Sequence, residues 1–242
     1  MDGIDRAGGD PAWDIHDKEI RSAVSEFNQH LLGTTGYQAM EWRFIKAMIW
    51  VESGAGSPAW KTSPIQIGNP GDPGLSSLLS GKEGGELILP PQVQSTLTPL
   101  LATTMAAHSI RAGIGYLLMK LANFTFKNVA DADTAVYEVT VKSGDSLDKI
   151  ARAHGTTIET LKKLNPLAQV LKPRQVLKYQ KGAIKKVIIG WRQITTANIA
   201  AYYNGGGDSS YAAKLDYALA VIRGSKVPAA PIAATAKTKA KP

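Results

Sequence analysis

The sequence predicts an α+β chain: a mainly α-helical domain interrupted by a small inserted βααβ module. Three observations lead there. Apolar residues recur every three to four positions in several stretches before residue 125 and again after residue 195. Between them, over 137–180, the period drops to two at each end of two short helical segments. And the 137–180 segment reads as a self-contained unit whose ends lie close together, so the flanking helical stretches are read as two halves of one interrupted domain.

Residues 1–12 read as flexible. A helix follows Asp14, with Ile20, Val24, Phe27 and Leu31 at helical spacing. "YQAMEWRFIKAMIWVE" (37–52) reads as a second helix, apolar on most sides and therefore buried, and stopped by Ser53-Gly54-Ala55-Gly56. Residues 53–95 are rich in Gly, Pro and Ser and read as a long loop with a short strand at Ile65–Ile67; loops of that length in a domain are usually functional. "SIRAGIGYLLMKLANF" (109–124) returns to helix through Ile110, Ile114, Leu117 and Leu121.

The alternation of "AVYEVTVKSGDS" marks a strand at Val136–Val141 ending in a Gly-Asp turn. "SLDKIARAHG" is a helix capped by Ser146 and stopped by Gly155, "TIETLKKLNP" a helix stopped by Asn165-Pro166, and "QVLKYQ" a second strand. Two antiparallel end strands bring the termini of such a unit together, which lets it sit inside a host loop. Then "TTANIAAYYNGGGD" and "SSYAAKLDYALAVI" are helices, the latter with Tyr211, Leu215, Ala218 and Ile222 on one face, and the tail is low-complexity. The expected organisation is a discontinuous host, 14–130 with 183–224, a module at 136–181, and flexible tails at 1–13 and 225–242.

The net charge of +8 is uneven. Residues 137–180 carry eight Lys or Arg against four Asp or Glu, and 223–242 carry five against none, so the rest is close to neutral. That distribution argues against a nucleic-acid enzyme with a charged cleft and suits attachment to an anionic matrix. The chain has no cysteine, which excludes disulfides and thiolate chemistry. No stretch approaches the roughly 18–20 apolar residues of a membrane span. "MDGIDRAGGDPAWDIHDKEI" lacks the apolar core of a signal peptide. The four histidines show no metal-ligand spacing and "DAD" (131–133) is too short for a calcium loop, so neither metal nor cofactor is expected.

One acid stands out. Glu52 ends the apolar run "AMIWVE", and a carboxyl in apolar surroundings keeps its proton near neutral pH. Such a group suits general-acid work on a glycosidic bond.

The module resembles the lysin motif (LysM) along its length, through Gly144-Asp145-Ser146-Leu147, Ile150-Ala151, His154-Gly155-Thr156, Leu161, Leu164-Asn165-Pro166 and Gln175-Val176-Leu177. The resemblance implies binding of N-acetylglucosamine-containing glycans such as peptidoglycan, in a groove between Gly144, Asp145, Ser146 and Leu147 on one side and Asn165, Pro166 and Leu167 on the other. Arg174 departs from the family's usual Gly before that Gln and bears on the final turn.

The host resembles goose-type lysozymes and soluble lytic transglycosylases of the lysozyme-like superfamily. The resemblance rests on "ESG" (52–54), on Ile65-Gln66 within "SPIQIGNP", on "SIRAGIGYLLMKL" with Ser109 in place of an Asn, and on Tyr203-Asn204-Gly205. It implies Glu52 as general acid, Gln66 on the substrate, and Tyr202, Tyr203 and Asn204 lining the site. It implies a muramidase cleaving the β-1,4 bond between N-acetylmuramic acid and N-acetylglucosamine. Asp72 is the leading second carboxylate, ahead of Glu83 and Glu86. Without one, attack by the sugar's own 6-hydroxyl gives the 1,6-anhydro product of a lytic transglycosylase. A non-catalytic wall-binding protein is the remaining reading. The substrate places the action in the periplasm or outside the cell. A phage lysin, an effector sent through a specialised secretion machine, or a piece of a larger chain would each reach it, and an antibacterial effector toxin would be made beside a neutralising immunity protein.

Overall fold

The computed structural model describes residues 3–69 and 71–224, the side chain of Arg6 excepted. The tail expected to be flexible at 225–242 lies outside them, as do Met1, Asp2 and Pro70. The chain divides into two units, Met1–Asn123 with Ile188–Pro242, and Phe124–Val187.

The first unit is helical. It opens with α1 (Ile4–Ala7) and a 3-10 turn at Pro11–Trp13, then α2 (Asp17–Leu31) and α3 (Trp42–Glu52). Residues 3–13 are thus not a loose tail. Trp13 is buried against Trp50 and Trp60, with ring centroids 5.1 and 5.8 Å away. The Trp60 indole donates to the Ala12 carbonyl at 3.1 Å and the Trp50 indole to the Trp13 carbonyl at 3.2 Å. Three interlocked indoles bury enough apolar area to offset the ordering of a short segment.

The helix expected from Tyr37 begins five residues later. Asn28 intervenes: its side chain donates to the Met40 carbonyl, and its Oδ1 accepts from the Met40 amide and the Tyr37 hydroxyl. Those bonds hold 37–41 extended.

Residues 53–104 are not one loop. They hold a 3-10 turn at Pro58–Lys61 and four short helices, α4 (Gly74–Leu79), α5 (Gly85–Ile88), α6 (Pro91–Thr96) and α7 (Pro99–Thr104). No strand forms at Ile65–Ile67; both isoleucines are buried in a turn. The central element is α8 (Ala106–Leu121), whose Ile110, Ile114, Leu117, Leu118 and Leu121 are buried. Each such side chain contributes about 1.5–3 kcal/mol by leaving water. α2, α4, α5 and α7 pack on it, and Arg111 ties it to Glu19 and Glu26 of α2.

The helix expected to reach Phe124 stops at Leu121. From there β1 (Ala122–Ala130) leads the chain out of the first unit. The second unit continues with β2 (Tyr137–Thr140), α9 (Leu147–His154), α10 (Ile158–Leu164) and β3 (Val176–Tyr179), and β4 (Gly182–Trp191) leads back. β4 pairs with β1. β2 and β3 are antiparallel, in register Tyr137 with Tyr179 and Val139 with Leu177. Their core is Val141, Ile150, Ala151, Leu161 and Leu177.

The chain then forms α11 (Thr196–Asn198), a π-helical turn at Ile199–Tyr203, and α12 (Tyr211–Arg223), which packs on α3. Among the described residues the fold is α+β, dominated by helices and with two small sheets.

Candidate functional site

Glu52 is the last residue of α3. The two residues after it end the helix. The amides of Ser53 and Gly54 both donate to the Ile49 carbonyl, and Gly54 takes the left-handed conformation at φ 67°. The Ser53 hydroxyl donates to the Pro64 carbonyl at 2.9 Å, pinning the incoming loop to the helix end. The Glu52 side chain is turned inward. Its Oε1 accepts the hydroxyl of buried Tyr211, the first residue of α12, at 2.6 Å.

Burial is the main force on this carboxyl and raises its pKa. The Tyr211 bond pulls it down in part, and the nearby Asp72 charge pushes it up. The negative end of the α3 dipole acts in the same direction as burial. Tyr211 is raised beyond the titration range by its own burial and by Glu52, so it stays a donor.

Gln66 donates from Nε2 to the Glu52 main-chain carbonyl at 2.8 Å. Its segment is held by α8. The hydroxyl of fully buried Ser109 donates to the Ile65 carbonyl at 2.8 Å. One turn on, Gly113 makes room for Ile65: a Cβ there would stand 2.5 Å from two Ile65 carbons.

Tyr203 is placed by the π-helical turn. Its ring meets Tyr116 of α8 edge-on, centroids 5.6 Å apart. Burial, with the charges of Glu52 and Asp72, raises its pKa well above the ordinary value. Tyr202 points the other way, exposed, under the Arg192 guanidinium at 4.4 Å. The Asn204 Oδ1 accepts from the Asp208 amide at 2.9 Å and closes the following turn. Asp72 is exposed, and its two oxygens accept from the amides of Gly68 and Gly74 at 3.0 and 2.8 Å. Glu83 is exposed and bridged to Lys120 at 2.6 Å; Glu86 is exposed.

Thus the charges of Glu52 and Asp72 both reach Tyr203, and Gln66 is tied to the Glu52 main chain, while Tyr202 faces away. A cavity of about 320 Å³ opens beside the end of α3, lined by Trp13, Trp50, Val51, Ser53, Gly54 and Lys214 among others. It takes in the neighbours of Glu52 in sequence, and not Glu52.

In the second unit Gly144 is left-handed and Asp145 accepts from the Lys142 amide at 2.7 Å. Ser146 caps α9 through the Lys149 amide, and Leu147 packs on the small core. Asn165 bonds the Leu161 carbonyl and both main-chain groups of Lys178, tying its loop to β3. Pro166 and Leu167 are exposed, Leu167 at 96%. Arg174 takes φ 68°, and its amide donates to the Val141 carbonyl at 2.8 Å. The turn that glycine would form freely is therefore kept, at a cost of about 1–2 kcal/mol.

Residues 139–179 match the LysM domain model. The chain therefore carries a LysM domain, which indicates peptidoglycan binding and association with the cell wall. No curated protein and no solved structure matches the chain. Among the described residues, no helix is long and apolar enough to cross a membrane.

Proposed function

We propose that the helical unit cleaves the β-1,4 bond between N-acetylmuramic acid and N-acetylglucosamine, with the LysM domain holding it to its substrate. One observation carries the reading: the Glu52 carboxyl, partly buried at a helix C-terminus, has its pKa raised and one oxygen fixed by Tyr211. With Oε1 occupied as an acceptor, Oε2 carries the proton and gives it to the leaving glycosidic oxygen. Gln66 is tied to the main-chain carbonyl of the same residue, and Tyr203, from the π-helical turn, feels the charge of its carboxyl.

Hydrolysis needs a base for the attacking water, and Asp72 is the candidate. A second reading is favoured by its bonding: both Asp72 oxygens already take main-chain amides, so its carboxylate serves the loop. Attack by the sugar's 6-hydroxyl, with Glu52 as acid and then base, needs no second acid and yields a 1,6-anhydro end. That is the lytic transglycosylase outcome.

The test is Glu52→Gln in a peptidoglycan turbidity assay with mass spectrometry of the released muropeptides. Loss of clearing supports the assignment, and unchanged clearing refutes it. Reducing N-acetylmuramic acid ends identify the muramidase, and 1,6-anhydro ends the transglycosylase. A wild-type chain that binds wall and never clears it is a wall-binding protein. Action on a competitor's wall as a delivered effector, with a neutralising partner, is the biological setting that the substrate and the composition suit.

A further inference from the structure

Of the three interlocked indoles, two spend their N–H groups on main-chain carbonyls, Trp50 on Trp13 and Trp60 on Ala12. The third does not. Trp13 is 8% exposed, and its indole N–H has no acceptor among the described residues. A buried indole N–H ordinarily meets an acceptor, because a donor stripped of water and left unpaired is a net loss.

Trp13 lines the cavity of about 320 Å³ beside the end of α3. Gly3 and Gly54 line it too, and their bare backbones lie against the benzo edge of the ring. A Cβ would stand 3.2 Å from Trp13 Cζ2 at position 3 and 3.0 Å from Cη2 at position 54. Cζ2 adjoins the carbon bonded to the indole nitrogen, so the unpaired N–H leaves the ring beside that edge.

The other walls sort by what they can still do. Trp50 and Val51 supply apolar surface. The Ser53 hydroxyl is committed to the Pro64 carbonyl at 2.9 Å. Ser57 Oγ accepts from the Ala59 amide at 3.2 Å, and its proton has no acceptor among the described residues. Lys214 is neutralised by Asp208 at 2.7 Å, and no carboxylate is among the described residues that line the cavity. The cavity therefore holds uncommitted donors, an indole floor and no unpaired charge. Such a lining selects a neutral acceptor on a small apolar body.

We propose that this cavity binds a small neutral amide, its carbonyl oxygen accepting from the Trp13 indole and the Ser57 hydroxyl and its methyl group on the indole floor. In peptidoglycan such amides are the acetamido groups of the sugars and the alanyl residues of the peptide stem; naming either rests on the reading above, whereas the amide site does not. Val51, Ser53 and Gly54 flank Glu52 in sequence, so the helix end that carries the candidate acid also builds the amide site.

The test follows the Trp13 indole N–H of the full chain by NMR. In the free protein it should exchange with water faster than the Trp50 and Trp60 indole protons. Titration with N,N′-diacetylchitobiose or with trialanine should shift it, with Trp191 unmoved, and glucosamine, which lacks the amide, should leave it in place. A shift with the sugar alone names the acetamido group, and one with trialanine alone the stem. Gly56→Leu should fill the cavity, since a Cβ there meets nothing within 4 Å, and should weaken binding about tenfold or more at unchanged melting temperature. Trp13→Phe keeps a ring and removes the donor; read through the Trp50 signal, it should weaken binding as well. No shift up to about 10 mM, an equal shift with glucosamine, a Trp13 N–H already protected in the free chain, or undiminished binding by either variant overturns the proposal. The readout involves no turnover. A chain that binds the amide and clears no wall refutes only the cleavage reading; one that clears wall with Trp13 unmoved refutes only this inference.

Discussion

Gly113→Ala tests whether the Gln66 segment is held against α8 as tightly as its geometry implies. Position 113 is interior to a 16-residue helix, where Ala is favoured over Gly by about 1 kcal/mol. Propensity alone would make the variant more stable. Against that, the new methyl would stand 2.5 Å from Ile65 Cδ1 and Cγ2 and 3.0 Å from its Cβ. Overpacking of this kind costs about 1–3 kcal/mol. Ile65 can retreat only by stretching the Ser109 bond to its carbonyl, worth a further ~0.5–1.5 kcal/mol. The net is a loss of about 0.5–3.5 kcal/mol, or roughly 2–4 °C of melting temperature per kcal/mol. Intrinsic fluorescence follows the right part of the molecule, since Trp13, Trp42, Trp50, Trp60 and Trp191 all lie in the helical unit. Clearing of peptidoglycan, measured below the melting transition, should fall as well, because Gln66 moves with Ile65. A variant melting at or above the wild-type temperature would refute the reasoning.

Glu52→Gln should also change stability. A carboxyl whose folded pKa is raised leaves the folded state less stable as pH climbs from the ordinary carboxyl range through the folded value, while Gln pays nothing. The variant should therefore melt above the wild type at neutral pH and match it in acid. Tyr211→Phe removes the bond that lowers the Glu52 pKa, so the alkaline limb of the clearing–pH profile should move upward; an unmoved limb would mean that Tyr211 does not set the acid. Asn165→Ala deletes bonds to Leu161 and Lys178 in a unit with a small core, so the LysM domain should melt early and retention on insoluble peptidoglycan should fall severalfold or more, the helical unit keeping its melting temperature.

What could be read from the chain follows from how local each signal is. The LysM strands and helices were legible because their caps, turns and alternation are each contained in a few residues, as with Ser146, Gly155 and Asn165. The place of Glu52 at a helix end was legible because an apolar helical run and its Ser-Gly stop are adjacent to it. Tyr211 was not: it bonds Glu52 across 159 positions, and nothing around it marks that duty. Its place on the apolar face of the last helix reads as packing, which is also true. The helices of 53–104 escaped because six residues or fewer cannot display a 3.6-residue period. β1 and β4 were missed because "ANFTFKNVA" follows a helix without a break, and its partner lies some sixty residues away. The sequence resemblance put Tyr202 and Tyr203 at the site together; their divergence goes with the wider turn at Ile199–Tyr203, which no local pattern announces.

That wider turn holds one residue more than an ordinary α-helical turn would. Removing a single codon from 199–203 would let the backbone rewind to the common pitch, and every side chain downstream in the turn would swing to a new azimuth. The two tyrosines would no longer be divided between interior and solvent as they are. A frame-preserving deletion of Ala200 or Ala201, rather than any substitution, is thus the smallest genetic event that could dismantle this corner while leaving both tyrosines in the gene.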